Sequence, residues 1–276
     1  MPLTVRSLHC YPVKSFRGID ADQFELTALG IARDRAWLAI DGQGRFLSQR
    51  RLPAMARIAT RLDGDDLVLE RAGEPPCPVP GEAGVSRITE VWGDRCEVVD
   101  AGDEVARWLA KALERDDDVR LVRMAPGFRR GQKRPERYGE GTTTQFADTA
   151  PYLVANLASL ERLNEALVAR KAAPVPMNRF RANIVVEGLE AFDEHAIATL
   201  EGPGYRLGLR YPRERCVITT MDQHTGQKHP HGEPFETLRG LNPMPDNPRG
   251  PAFAELAVLE EGEGARIRVG DRLRAT

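Results

Sequence analysis

The sequence has few cysteines, few aromatic residues and no long apolar run, and each absence excludes a class of protein. None of the 4 cysteines forms a CxxC pair, so the usual zinc and iron–sulfur signatures are missing. No stretch approaches the roughly 18 apolar residues of a membrane helix, and no export signal precedes the first strand pattern. The net charge of −2 argues against wholesale nucleic-acid binding. We therefore expect a cytoplasmic monomer with reduced thiols and with no membrane or nucleic-acid partner.

Motifs for nucleotide binding and for hydrolysis are also missing. The stretch DGQGRFL has Gly42 and Gly44 but lacks the third glycine and the helix of a dinucleotide-binding loop, so it predicts a turn. Three histidines, His224, His229 and His231, lie close enough in sequence to bind a metal. Their spacing matches no rigid element, which favours a loop with incidental histidines. A metal hydrolase built on residues 224–231 stays a minor alternative.

Alternating apolar residues predict short strands in the first half. LTVRSLHCYPV, AWLAID and DDLVLER are such patterns, AWLAID leads through a turn into RFLSQR as a hairpin, and RITEVWGDRCEVVD predicts two strands around Gly93-Asp94. The prolines of EPPCPVPG (74–81) predict irregular structure. AGDEVARWLAKALE has a helical period, and Asp103 is its expected cap.

The second half starts after a polar, basic segment. VRLVRM (119–124) predicts a strand, and residues 125–145 predict a solvated linker, with docking of an acidic partner as the alternative. FADTAPYLVA, RFRANIVVEG, YRLGLRYP and CVITTMD predict strands, ASLERLNEALVAR predicts a helix capped by Ser159, and the tail predicts a closing hairpin. The expected fold class is mainly β (α+β), with β-barrels and peripheral helices, over domains 1–124 and 146–276.

Cys216 is the cysteine that packing explains least well. It lies beside Arg213 and Arg215 and before a run of β-branched residues. Because side chains alternate along an extended chain, both arginines should point away from its face, although one could still bend towards a ligand. Other cationic and polar groups stand at predicted strand ends, in YPVKS, ARDRAW and NRFRANIVV. Taken singly these are surface charges and an inert cysteine; taken together they suggest an anion-binding pocket.

Six segments carry a family resemblance. YPVKSFRGI, RDRAWLAID, FADTAPYLVA, RFRANIVVEGLEAFDEH, RCVITTMDQHTG and GARIRVGD occur in this order. They resemble the successive motifs of two-part MOSC proteins, which have an N-terminal β-barrel domain followed by a MOSC domain. The resemblance runs from about Leu8 to Arg272, and within these proteins the chain resembles the mitochondrial amidoxime-reducing component family and its bacterial counterparts.

The resemblance implies a molybdenum cofactor, Mo-molybdopterin, and a role for each matching residue. It makes Cys216 the molybdenum ligand and catalytic centre, which suits a soft thiolate donor. The residues implied to bind the cofactor are Lys14, Ser15, Arg33, Asp148, Thr149, Arg181, Asn183 and Arg215. Two departures, Ala182 where the family often has proline and a short His-rich segment after HTG, leave substrate choice open.

The resemblance also implies an activity. The expected reaction is reduction of N-hydroxylated compounds such as hydroxylamines and amidoximes, with molybdenum and its dithiolene as the reacting group. Because the chain has no CxxC cluster and no nucleotide-binding motif, electrons should come from a separate flavin, iron–sulfur or haem protein. The alternative is a cofactor carrier or sulfur-transfer adaptor that does not turn over as a reductase.

Overall fold

The computed structural model describes residues 1–64, 66–81 and 84–276. Its strands are β1 (Thr4–Cys10), β2 (Ile19–Asp20), β3 (Gln23–Thr27), β4 (Gly30–Ile31), β5 (Trp37–Asp41), β6 (Ala59–Asp63), β7 (Asp66–Glu70), β8 (Cys77–Val79), β9 (Ser86–Val91), β10 (Asp94–Asp100), β11 (Val119–Met124), β12 (Arg130–Gly131), β13 (Thr143–Thr144), β14 (Tyr152–Asn156), β15 (Ile184–Glu187), β16 (Thr199–Gly202), β17 (Tyr205–Glu214), β18 (Ala252–Glu261), β19 (Arg266–Arg268) and β20 (Arg274–Ala275). Its α-helices are α1 (Asp103–Ala112), α2 (Pro135–Tyr138), α3 (Leu157–Ala169) and α4 (Phe235–Leu241).

The largest sheet joins the beginning of the chain to its second half. Its eight strands run in the order β2-β1-β15-β14-β18-β17-β16-β20. β1 pairs antiparallel with β15, and β14 pairs parallel with β15. Val5 and Leu8 of β1 pack in the same apolar core as Tyr152 and Ile184. Strand pairing therefore crosses the predicted boundary between 1–124 and 146–276, and the boundaries themselves stay predictions.

A second sheet organises the first half. Its order is β5-β11-β10-β9, and all five residues of β5 are buried. The apolar face of α1, with Val105, Trp108 and Leu109, packs in a core cluster that includes Trp37. An isolated parallel bridge from Val13 to Trp37 links the residues after β1 to this sheet. The two sheets thus meet close to where β1 ends.

The mainly-β fold class is confirmed, and so are both long helices, but their predicted caps are wrong. α1 begins at Asp103 itself, with Gly102 at the cap position. α3 is capped by Asn156, whose side chain accepts a hydrogen bond from the Ala158 N–H at 3.2 Å. Ser159 instead points inward and donates to Glu194 at 2.7 Å. A buried carboxylate needs hydrogen-bond donors, and the Ser159 hydroxyl serves as one. A sequence pattern does not show that such a carboxylate lies nearby.

Two other wrong predictions concern prolines and β-branched residues. EPPCPVPG contains β8, an edge strand beside β7, where proline is tolerated because one side of the strand needs no partner. CVITTMD forms a 3₁₀ turn, Val217–Thr220, in which the hydroxyls of Thr219 and Thr220 bond back to carbonyls three residues earlier. Local side-chain hydrogen bonds of this kind compete with strand pairing.

Two further predictions are wrong, those for the tail and for residues 125–145. The tail forms no closing hairpin: β18 pairs with β14 and β17, β19 with β3, and β20 with β16. The predicted hairpin of AWLAID and RFLSQR is confirmed: the Asp41 N–H donates to the Arg45 carbonyl at 2.9 Å, the Leu47 N–H donates to the Ala39 carbonyl at 2.8 Å, and Ile40 faces Phe46 in an antiparallel bridge. The 125–145 segment is not a solvated linker, since it includes β12, α2 and β13 and buries Arg130. The strand predicted at 65–71 is β7, and Asp65 lies outside the described residues.

Candidate functional site

A cationic pocket opens where several strands of the two sheets begin or end. Its lining comes from the residues after β1, before β5, before β14 and β15, and at the end of β17. Two lining side chains, Asp148 and Glu214, are carboxylates. The six cationic ones are Lys14, Arg35, Arg50, Arg181, Arg213 and Arg215. This excess of buried and half-buried positive charge predicts that the pocket binds an anionic group.

Asp148 lies at the centre of these cations. Lys14 Nζ donates to one carboxylate oxygen, and Arg213 Nη2 donates to the other at 2.9 Å. The indole N–H of Trp92 also donates to Asp148, at 3.0 Å. Burial opposes ionisation, but Lys14 and Arg213 together hold the pKa of Asp148 well below its usual range. The carboxylate therefore stays charged and fixes the two cations on either side of it.

Cys216 is the cysteine that faces this pocket. It is half-buried, and Arg50 Nη2 donates to its Sγ at 3.3 Å. The other three, Cys10, Cys77 and Cys96, are buried, and burial raises the pKa of each thiol. Cys216 is therefore the thiol placed to bind a soft metal ion.

Arg215 has donor capacity that the protein leaves unused. Its Nη2 donates to the Phe180 carbonyl at 2.6 Å, but its buried Nε has no hydrogen-bond partner within the described parts of the chain. Burial, with repulsion from Arg213, lowers the pKa of Arg215 to about 9. An unpaired buried donor on a cation is costly, so an anion bound here would relieve a cost that the free protein carries.

Tyr11 positions two of the arginines. The guanidinium carbons of Arg35 and Arg181 lie 4.5 and 4.3 Å from the centroid of its buried ring. Arg35 also donates to the Asn183 side chain at 3.0 Å, and Arg181 donates to the Phe16 carbonyl at 2.7 Å. Burial, with repulsion from Arg35, lowers the pKa of Arg181 to about 10. The aromatic ring thus holds two like charges close together.

Several residues of the pocket have strained backbones. Ser15, Arg35 and Arg181 lie in the left-handed region with φ of 68°, 49° and 55°. Non-glycine residues rarely adopt this conformation, and it persists where the surrounding structure holds it and often where a site needs it. Three such residues in one lining support the assignment of this pocket as the functional site.

The structure brings most of the sequence-predicted site residues together, while their cofactor roles stay predictions. The lining includes Lys14, Ser15, Asp148, Thr149, Arg181, Asn183, Arg215 and Cys216. Arg33 is exposed and is not part of this lining; Arg35, two residues later, takes that place. Both Arg213 and Arg215 line the pocket with Cys216, so the prediction that they point away is wrong: the pairing of β17 with β18 shifts register between Pro212 and Glu214, and strict alternation is lost there.

Sequence reasoning singled out the segments that contain Arg35 and Arg213 but gave neither residue a cofactor role, and it missed Arg50, Tyr11 and Trp92 as parts of the site. Nothing near Arg50 in sequence connects it with Cys216, 166 positions away. The histidines of 224–231 do not form a metal centre: among residues 1–64, 66–81 and 84–276, no group of three or more potential ligands is arranged to hold a metal ion. No helix in these ranges is long and apolar enough to cross a bilayer.

Comparison with known proteins identifies the class first. Residues 2–116 match the MOSC N-terminal beta barrel domain, and residues 141–274 match the MOSC domain. The protein is therefore a two-part MOSC protein, as the sequence motifs predicted.

The chain belongs to the family of the mitochondrial amidoxime-reducing components. It is 31% identical to mitochondrial amidoxime-reducing component 1 of Homo sapiens, over 97% of this chain and 81% of that protein. It is 31% identical to mitochondrial amidoxime reducing component 2 of Bos taurus, over 86% of this chain and 71% of that protein. Molybdenum cofactor sulfurase of Bos taurus is 28% identical over 82% of this chain, which spans only 27% of that longer protein.

Proposed function

We propose that the protein is a molybdenum-cofactor-dependent oxidoreductase that reduces N-hydroxylated compounds such as amidoximes and hydroxylamines. One observation carries the proposal: a half-buried thiol, Cys216, stands in a pocket that six cations and only two carboxylates line. The names of the 31%-identical relatives, amidoxime-reducing components, support the choice of reaction.

The pocket fits a cofactor with a metal ion and an anionic phosphate arm. A soft metal needs a thiolate ligand, and Cys216 is the available thiol. A phosphate needs several charge-assisted donors, which Lys14, Arg181 and Arg215 can provide, Arg215 with an Nε that has no partner in the described residues. When bound, the molybdenum cofactor supplies two-electron redox chemistry at a metal centre.

In the proposed reaction, the side chains around Cys216 would hold and orient the cofactor and the substrate. Not all of them would exchange protons. Reduction of an amidoxime to an amidine consumes two electrons and two protons and releases water. Because its pKa lies well below the usual range, the Asp148 carboxyl is a poor proton donor near neutral pH, and its role is to hold Lys14 and Arg213. The Arg50 guanidinium, which donates to Cys216 Sγ, would hold this sulfur atom in one orientation.

Electrons would come from a separate flavin, iron–sulfur or haem protein. The chain has no CxxC motif that would ligate a cluster of its own. The basic segment 128–137 adjoins the pocket: Lys133 donates to the Trp92 carbonyl, and Trp92 donates to Asp148. We propose that an acidic donor docks on this side, and that the protein acts in the cytoplasm.

The test combines metal analysis with turnover. Protein from a host that makes the cofactor should contain molybdenum and pterin in a one-to-one ratio to the chain, and should convert an amidoxime to an amidine with reduced methyl viologen as donor. A carrier or sulfur-transfer adaptor is the second candidate, which the match to molybdenum cofactor sulfurase favours. Molybdenum-loaded protein that reduces no amidoxime and no hydroxylamine would reject the reductase and leave the carrier.

A further inference from the structure

The hairpin between β9 and β10 carries an exposed aromatic side chain next to the pocket. Trp92 keeps 40% of its surface exposed, whereas Trp37 and Trp108 keep 4% and 9%. Its ring packs on Phe46, with ring centroids 5.0 Å apart. We call these two rings the aromatic rim. An exposed tryptophan in a protein with few aromatic residues needs an explanation other than core packing.

Contacts with three pocket residues tie the aromatic rim to the site. The Trp92 indole N–H donates to Asp148 at 3.0 Å. The guanidinium carbon of Arg50 lies 4.9 Å from the centroid of the Trp92 ring, and the same guanidinium donates to Cys216 Sγ at 3.3 Å. The Lys14 ammonium lies 5.9 Å from each ring of the rim. A single guanidinium therefore separates the indole from the thiol.

The backbone at Trp92 departs from the local preference of its turn. Trp92 and Gly93 are the two loop residues of the hairpin, with φ of 56° and 84°, the pattern of a type I′ turn. Asparagine, aspartate and glycine are strongly preferred at the first of these positions, because a bulky residue is strained at positive φ. Departures from local preference are expected at functional positions, and this one places an indole beside the pocket.

We propose that the aromatic rim is a substrate platform that favours aryl-bearing N-hydroxylated compounds over alkyl ones. This inference rests on the proposed reductase function and adds the substrate class. An aryl group stacked on the exposed part of the Trp92 indole can direct its N–OH group past Arg50 towards Cys216. The rival explanation gives Trp92 only the task of holding Asp148 through its N–H.

Two substrates with the same reacting group and two variants separate these explanations. Cofactor-loaded protein would be assayed with benzamidoxime and acetamidoxime, with reduced methyl viologen as donor and with rates normalised to molybdenum content. Trp92→Leu removes ring and N–H, and should lower the benzamidoxime-to-acetamidoxime ratio of kcat/KM by roughly two- to tenfold. Trp92→Phe removes only the N–H and should keep most of the ratio. An unchanged ratio in Trp92→Leu, or equal losses in both variants, would overturn the platform.

Intrinsic fluorescence gives a readout that does not need turnover. Benzamidoxime should quench the emission of the wild-type protein more than acetamidoxime does. This difference should vanish in Trp92→Phe, because Trp37 and Trp108 are buried. If the wild-type protein reduces both amidoximes and benzamidoxime quenches no more than acetamidoxime, the platform is overturned and the reductase function is not. Quenching without reduction of either amidoxime would overturn the reductase and support the platform as a binding surface.

Discussion

Two regions of this protein are rich in cations, and they differ in where the cations without an ion-pair partner lie. Along the sequence, 128–137 is the denser of the two, whereas the pocket cations are spread from Lys14 to Arg215. In the dense run, Arg130 and Lys133 share Asp94 and Arg137 faces Asp246, which leaves the exposed Arg129 and Arg134. In the pocket, Lys14, Arg50 and Arg213 lie within 4.0 Å of Asp148 and Arg35 pairs with Asp34, which leaves the half-buried Arg181 and Arg215 without a carboxylate partner in the described residues. Charge density along a chain is therefore a poor guide to a binding site, and unpaired cations held away from solvent are a better one.

The largest expected effect is at Cys216, the cysteine that lines the pocket. Cys216→Ser replaces a soft anionic ligand with a hard neutral one, so amidoxime reduction should fall by more than about a hundredfold. Pterin should remain bound, and X-ray absorption should show one sulfur fewer around molybdenum. Cys96→Ser is the matched control, since Cys96 is buried in another core cluster. Wild-type turnover by Cys216→Ser would place the metal elsewhere.

Removal of single pocket cations should weaken cofactor binding without unfolding the protein. A charge-assisted hydrogen bond contributes roughly 1.5–3 kcal/mol, so Lys14→Ala and Arg181→Ala should each weaken binding by about ten- to a hundredfold. Pterin fluorescence after denaturation measures occupancy, and far-UV circular dichroism checks the fold. Arg129→Ala, an exposed cation of the other region, is the control and should keep full occupancy. Full occupancy in both pocket variants would refute the assignment of Lys14 and Arg181 as cofactor-binding residues.

The Arg215 Nε that lacks a partner in the described residues leads to a prediction in which stability rises and cofactor binding falls. In the cofactor-free protein, Arg215→Met should raise the free energy of unfolding by roughly 0.5–2 kcal/mol, because it removes a buried cation that Arg213 repels. The same change should lower pterin content. Guanidinium denaturation of the two cofactor-free proteins measures the first effect. A less stable Arg215→Met protein would show that the Phe180 contact outweighs the repulsion.

The smallest expected effect is the salt sensitivity of electron supply. The 128–137 segment has three exposed cations, Arg129, Lys133 and Arg134, but Glu136 among them is exposed too. Turnover with an acidic protein donor should therefore fall only a fewfold as salt rises, since exposed charges are screened beyond about 8 Å at physiological ionic strength. Turnover with reduced methyl viologen should change less. Equal salt dependence for both donors would leave this segment with a structural role only.

Residues close in sequence to a motif were predictable, and residues that reach the pocket from elsewhere were not. Lys14, Arg181 and Cys216 each belong to a segment whose order and composition are typical of the family. Arg50 comes from an ordinary stretch after a turn, and Tyr11 acts through the two guanidinium groups stacked on it. Such roles depend on which segments the sheets bring together, and local periodicity contains no information about that.

Strand assignment shows the same limit. Turn chemistry and alternation predicted β9 and β10, because their pairing is local. The tail strands were misread as a hairpin, because β19 and β20 find partners at β3 and β16. The 3₁₀ turn after Cys216 was misread as a strand, because threonine hydroxyls bonded to the local backbone overrode β propensity.

The pairing of β1 with β15 has a consequence for the order of events during biosynthesis. Thr4 hydrogen-bonds with Glu187, 183 positions later, and Arg50 reaches Cys216 across 166 positions. A ribosome adding about 5–20 residues per second needs roughly 10–40 s to make the first of these spans. Through that time the part of β1 that pairs with β15 has no strand partner, because β2 pairs only with His9 and Cys10. A cofactor bound in this pocket would meet the complete lining only after Cys216 has left the ribosome, when the chain is nearly finished.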